Sequence, residues 1–232
     1  MSKFKQWRRK IGLFYWKCNG KMKTWWYNQK KSVRCFLVWV KGWKHPRKQD
    51  FVAMENAKCL IVCAHPDDET IFFSSIIKKE KPYVICASHR GNLVRAEEFR
   101  QALAYWGVEG ILLNAPDVPG FTWLWKRVVE GDLKKLRKIC PDVSTVYTHS
   151  GCGESKHPHH FAVHDAVTRV FSDCKIYTTA AFIPPDQANS LDEECIREKY
   201  EVVKTIYGSQ IDMLETWCWW WNTYLNNECF EE

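Results

Sequence analysis

From Lys58 onward the chain alternates between short apolar runs and longer stretches whose apolar residues recur at helical spacing. Cys59 to Ala64 is a continuous apolar run of strand length, and Glu69 to Lys79 follows as a helix. The pair repeats with a strand from Tyr83 to Ala87, a helix from Leu93 to Trp106 and a short strand near Ile111 to Asn114. After an irregular stretch with Pro116, Pro119 and Gly120, the pattern predicts a helix around Trp125 to Ile139, then a strand from Ser144 to Thr148. A polar, glycine-bearing loop from Ser150 to His157 follows, and Pro158, of a type favoured at the first helical position, starts a helix to about Phe171. A strand from Lys175 to Ala180, a Pro-Pro loop and a helix from Leu191 to about Tyr207 complete the series. Strands separated by helices imply an α/β fold, a mostly parallel sheet with helices on both faces. In such sheets ligand sites form beyond the carboxyl ends of the strands.

Upstream of Lys58 the pattern is different. Phe4, Trp7, Ile11, Phe14, Tyr15 and Cys18 fall on one face of a helix, with Lys and Arg elsewhere. Gly20 interrupts this, and a looser aromatic pattern runs on to Trp43 and Pro46. Two occupants suit such a face: a bilayer surface, or the rest of the protein.

At 232 residues and 46% hydrophobic, the chain suffices for one α/β domain with an extension. We divide it into a basic, aromatic-rich extension, 1–57, and a catalytic domain, 58–232. Its 26% charged content, with 11 Gly and 9 Pro, excludes collagen-like and low-complexity classes. Residues 1–50 hold 15 Lys and Arg against Asp50 alone, a charge of +14, so the remainder of a chain of net charge +7 carries 7 − 14 = −7. The first segment therefore suits an anionic partner, lipid headgroups, a phosphorylated glycan or nucleic acid, and its aromatic content favours an anionic membrane surface over nucleic acid. No apolar run reaches the roughly 18 residues of a spanning helix. The odd number of cysteines, 11, irregularly spaced and partly within strand-like runs, points to reduced thiols. The N-terminus shows neither an apolar signal core nor a small-residue cleavage site, so we expect cytoplasmic residence, with peripheral attachment at the inner face of a membrane.

Two clusters carry chemistry. Ala64, His65, Pro66, Asp67, Asp68 and Glu69 stand directly after the first strand. Adjacent carboxylates there are costly unless a proton or a cation is shared between them, which suggests an acid–base pair or a metal. A helix cap by Asp67 or Asp68 is the plainer alternative, though it leaves His65 unexplained. The second cluster, His149 and then His157, Pro158, His159 and His160, follows the Ser144 to Thr148 strand. A hydrolytic zinc site takes three His or carboxylate ligands and keeps a fourth position for water, whose pKa falls to about 7. His65, Asp68 and one of the later histidines meet that count.

AHPDDE at 64–69, THSGCGESKHPHH at 148–160 and KTIYGSQ at 204–210 resemble the PIG-L (LmbE-like) superfamily of zinc-dependent de-N-acetylases over roughly residues 58–210. The resemblance implies a Rossmann-like three-layer fold and metal ligands His65, Asp68 and His160. It implies Asp67 as general base and His157 as the group that stabilises the oxyanion. It also implies substrate contact by Arg95, and Asp117 is a second candidate for binding sugar hydroxyls. The metal would be Zn²⁺, with Fe²⁺ or another divalent ion equally suited to a His₂Asp set. One position departs from the family pattern: relatives often carry Asp where this chain has His159, and Glu154 or Asp165 could take over the tuning of His157. His89 and His164 stand singly, and His164 follows His160 by one helical turn. Trp217, Trp219, Trp220 and Trp221 would serve as a sugar-stacking platform or pack against the N-terminal aromatic segment.

The expected activity is metal-dependent removal of an N-acetyl group from a GlcNAc-type amino sugar, in a glycolipid or lipopolysaccharide-type precursor, with release of acetate. A small soluble sugar conjugate is the alternative substrate. A non-catalytic scaffold that binds membrane or nucleic acid is the alternative of a different class.

Overall fold

The structure, a computed structural model, describes residues 53–115, 122–154, 156–180, 191–217 and 221–231. The basic segment 1–50, Asp117, Trp219 and Trp220 lie outside the described residues. After a 3₁₀ turn, Ala53–Asn56, the order is β1 (Cys59–Cys63), α1 (Asp68–Glu80), β2 (Tyr83–Ser88), α2 (Leu93–Trp106), β3 (Gly110–Ala115) and α3 (Thr122–Ile139). Then come β4 (Thr145–Thr148), α4 (Pro158–Val170), β5 (Lys175–Thr179), α5 (Glu193–Thr205), α6 (Ile211–Trp217), α7 (Trp221–Asn226) and β6 (Phe230–Glu231). Every element expected from the periodicity between Lys58 and Tyr207 is present. The C-terminal helices α6 and α7 and the edge strand β6 are additions.

The six strands lie in the order β3-β2-β1-β4-β5-β6. The first five are parallel, and β6 pairs antiparallel with β5. The order reverses between β1 and β4, the place where a doubly wound sheet opens a crevice. Val62 is in register with Thr148, so the chain leaves both strands at the same level, and the residues that follow each strand meet above the sheet edge.

Alternation along β1 divides the core. Leu60 and Val62 face a layer built from α3 and α4, with Trp125, Val129, Leu133, Val163 and Val167. Ile61 and Cys63 face the opposite layer, with Ile71, Phe72, Phe99, Val202 and Tyr207. Both faces of the central strands are therefore covered, as a parallel sheet requires.

Helix α1 is not continuous. Phe73 leaves helical geometry at φ −136°, ψ 17°. The backbone N–H groups of Ser74 and Ser75, which the break would orphan, donate to the Glu228 carboxylate at 2.8 and 2.9 Å, and both serine hydroxyls donate to it as well. Fully buried Lys199 pairs with Glu228 at 2.7 Å and donates to the carbonyls of Ile71 and Tyr224. The C-terminal segment is thereby tied to the helix that carries Asp68. Among the described residues no helix is long and apolar enough to cross a membrane.

Candidate metal centre

Asp68 opens α1, and its position there follows from an unusual backbone just before it. Asp67 has φ 113°, ψ −34°, a region L residues rarely adopt. The turn directs the Asp67 carboxylate away from the helix end, so the capping alternative fails: Asp67 makes no side-chain cap bond. Instead the Asp67 N–H donates to Glu69 Oε2 at 3.0 Å, and Asp68 Oδ2 accepts from the His65 N–H at 2.8 Å.

Around Asp68 Oδ2 the two clusters converge. It lies 3.4 Å from His65 Nδ1 and 3.5 Å from His160 Nε2, and the ligand atoms of these three residues are all within 4.8 Å of one another. In a tetrahedral site with bonds of about 2.1 Å, ligand atoms stand about 3.4 Å apart, so the donor set and its spacing fit a divalent ion such as Zn²⁺. His149 Nε2 is also near, 3.3 Å from Asp68 Oδ2, but it accepts the Ala64 N–H at 3.0 Å and is engaged.

Glu154, from the loop after β4, is the hub behind the site. It sits 2.7 Å from His160 Nδ1 and 3.1 Å from His149 Nδ1, accepts the Ser150 N–H at 3.0 Å, and takes the Thr179 hydroxyl. A carboxylate at Nδ1 puts the His160 proton there and leaves Nε2 as the lone pair that faces Asp68. The His149 and His160 rings stack at 3.9 Å, and Phe72 and Phe73 close on His149 edge-on. Burial raises the pKa of Asp68, yet the imidazoles of His160 and His149 outweigh it and hold the group well below the usual carboxylate range. Burial and the neighbouring His149 push His160 down. Burial lowers His149, while the charges of Glu154 and Asp68 outweigh it and lift the ring to about 10.

Asp67 is raised to about 7 by burial, against the pull of Arg95. Arg95, the substrate contact that the resemblance implies, reaches Asp67. It is 5% exposed, donates through Nη2 to Asp67 Oδ2 at 3.0 Å and to the Pro66 carbonyl, and through Nη1 to Glu98 at 2.8 Å and Ser209 at 3.4 Å. These bonds use both terminal nitrogens, so Arg95 clamps Asp67. The KTIYGSQ stretch contributes from behind: Ser209 donates to Glu98, and the Tyr207 hydroxyl donates to Glu69 at 2.5 Å.

His157 caps α4, with Nδ1 accepting the His159 N–H at 3.3 Å, and its ring lies edge-on to His65 at 4.8 Å. Of the two acids proposed to tune it, Glu154 bonds His149 and His160, and Asp165 pairs with Lys126. His159 turns toward His65, Nδ1 to Nε2 3.0 Å, and stacks on Trp125 at 4.2 Å and 6°. His164 Nδ1 meets the His149 carbonyl at 2.9 Å, and His89 is edge-on to His65 at 5.8 Å. The duties of His149 and Trp125, and the bonds of Glu154 to His149 and His160, were not assigned from the sequence; a histidine just after a strand with an acid five residues on was the available signal.

Residues 60–171 match the family described as GlcNAc-PI de-N-acetylase, PIG-L. Among solved structures the chain is similar to the A40926 pseudoaglycone deacetylase Dbv21, with 16% identity and a TM-score of 0.58 over 72% of this chain and 88% of that one. It is also similar to a deacetylase of the teicoplanin biosynthesis pathway, with 16% identity and a TM-score of 0.54 over 67% of this chain and 86% of that one. At these identities the likeness is one of fold.

Proposed function

We propose, because residues 60–171 match the PIG-L family, that the chain is a metal-dependent hydrolase that removes the N-acetyl group of a GlcNAc-type amino sugar. The observation that carries this is the meeting of His65, Asp68 and His160 at ligand spacing at the switch point of the sheet. A Zn²⁺ or Fe²⁺ ion held by these three would polarise the acetamide carbonyl and lower the pKa of water. Asp67, next to a ligand and fixed by Arg95, takes a proton from the attacking water and passes it to the departing amine as the C–N bond breaks. His157 accepts a backbone N–H at Nδ1, which puts its own proton on Nε2, the donor for the oxyanion. Acetate and a free amino sugar result.

For the substrate we favour a glycolipid or lipopolysaccharide-type precursor at the inner face of a membrane, on the strength of the +14 charge and aromatic content of residues 1–50. A soluble sugar conjugate is the second reading. The deciding experiment offers the full-length protein a panel of N-acetylated sugars and glycolipids and measures acetate. Release that disappears on chelation and in Asp67→Asn supports the proposal. A protein that binds no stoichiometric metal and releases no acetate from any member overturns it.

A further inference from the structure

The histidine in place of the family's frequent aspartate has a position of its own. His65 presents Nδ1 to Asp68 Oδ2 and Nε2 to His159 Nδ1, at 3.4 and 3.0 Å. If Nδ1 is the ligand atom, Nε2 carries the proton, and His159 Nδ1 is its acceptor. Trp125 lies flat on His159, rings 4.2 Å apart and 6° from parallel. Trp125 is fully buried, and its Nε1 has no hydrogen-bond partner among the described residues, so the indole is placed for its face and not for its N–H. His160, by contrast, is held at Nδ1 by the Glu154 carboxylate. The two imidazoles thus have unlike supports, one charged and one neutral.

We propose that His159 is a positioning residue that accepts the Nε2 proton of His65, aims Nδ1 of that ring at the divalent ion, and is itself held in plane by Trp125. This rests on the metal-dependent reading above. A neutral acceptor donates less electron density through the ligand than a carboxylate does, so the ion keeps more of its Lewis acidity, and its affinity for the site depends on a hydrogen bond and not on a charge.

The test measures Zn²⁺ affinity of the full chain by competition with a chromophoric chelator, together with the visible spectrum of the Co²⁺-loaded protein. His159→Leu, which removes the acceptor, is expected to weaken binding about 10- to 100-fold and to change the Co²⁺ bands. His159→Asn, whose Oδ1 replaces Nδ1, should restore affinity to within about threefold of the wild type. Trp125→Phe, which keeps a ring face, should do the same, and thermal melting of the metal-free proteins checks that each variant folds. Equal affinity and spectra for wild type and His159→Leu would overturn the proposal. So would a second equivalent of Zn²⁺ bound by the wild type and lost in His159→Leu, since His65, His157 and His159 also lie within 4.8 Å of one another and would then hold an ion themselves. A wild type that binds no metal at all would instead remove the reading beneath it.

Discussion

The buried pair that ties the C-terminus to α1 allows a quantitative prediction. Removing Glu228 as Glu228→Ala leaves the Lys199 ammonium, fully buried, with two carbonyl oxygens as its only bonded acceptors among the described residues. It also orphans the Ser74 and Ser75 amides at the break in the helix. Breaking a buried ion pair from one side costs about 3–5 kcal/mol. Lys199→Met is the gentler change, because the carboxylate it strands keeps four donors, two amides and two hydroxyls. We expect about 1–3 kcal/mol there, the cost of one under-satisfied buried group. The double variant Lys199→Met/Glu228→Ala, which removes both charges, should cost less than the two single changes summed, with a coupling of about 1 kcal/mol or more. Urea unfolding followed by circular dichroism reads this directly. At a slope of about 2 kcal/mol/M, Glu228→Ala should lower the midpoint by about 2 M. Equal losses for the two single variants, or strict additivity in the double, would refute the argument that the carboxylate is the better supported half.

Other expectations follow from the site and the sheet. Glu154→Gln places an amide donor against the proton of His149 or His160, so Zn²⁺ affinity in a chelator competition should fall about 10- to 100-fold. Asp67→Asn should abolish acetate release while leaving bound metal near one equivalent, measured by elemental analysis, because Asp67 is next to a ligand but bonded to Arg95. Gly110→Ala should lower the melting temperature of the metal-free protein, as its Cβ would stand 2.4 Å from the Val84 carbonyl and overpacking of this kind costs about 1–3 kcal/mol. Sedimentation of the full chain with anionic vesicles in low salt should exceed that with neutral ones and decline as salt rises, if residues 1–50 engage lipid.

The parts of the fold legible in the sequence were those where one periodicity runs long enough to be unambiguous. β1 and β2 are buried on both faces and read as unbroken apolar runs, and α2 is bounded by Asn92 and Gly107, the residue types that cap helices. β6 has two residues and α7 six, too short for any period to register, and the tryptophans around them mask what little pattern exists. At the site, His65, Asp68 and His160 could be named from their boxes, but their supports could not. Glu154 is one acid in a glycine-rich loop, and only the level ends of β1 and β4 bring it behind His160. Arg95 could be named only through the resemblance, as a substrate contact, because nothing in its own helix shows that Asp67 lies across the crevice.

The backbone at Asp67 is one that glycine would adopt without strain, whereas a side chain there costs on the order of 1–3 kcal/mol. That strain is opposed by the buried Arg95 guanidinium, since Asp67→Gly would relax the turn but take away one of the two carboxylates that hold the cation. The position therefore resists replacement on grounds of endurance as well as turnover.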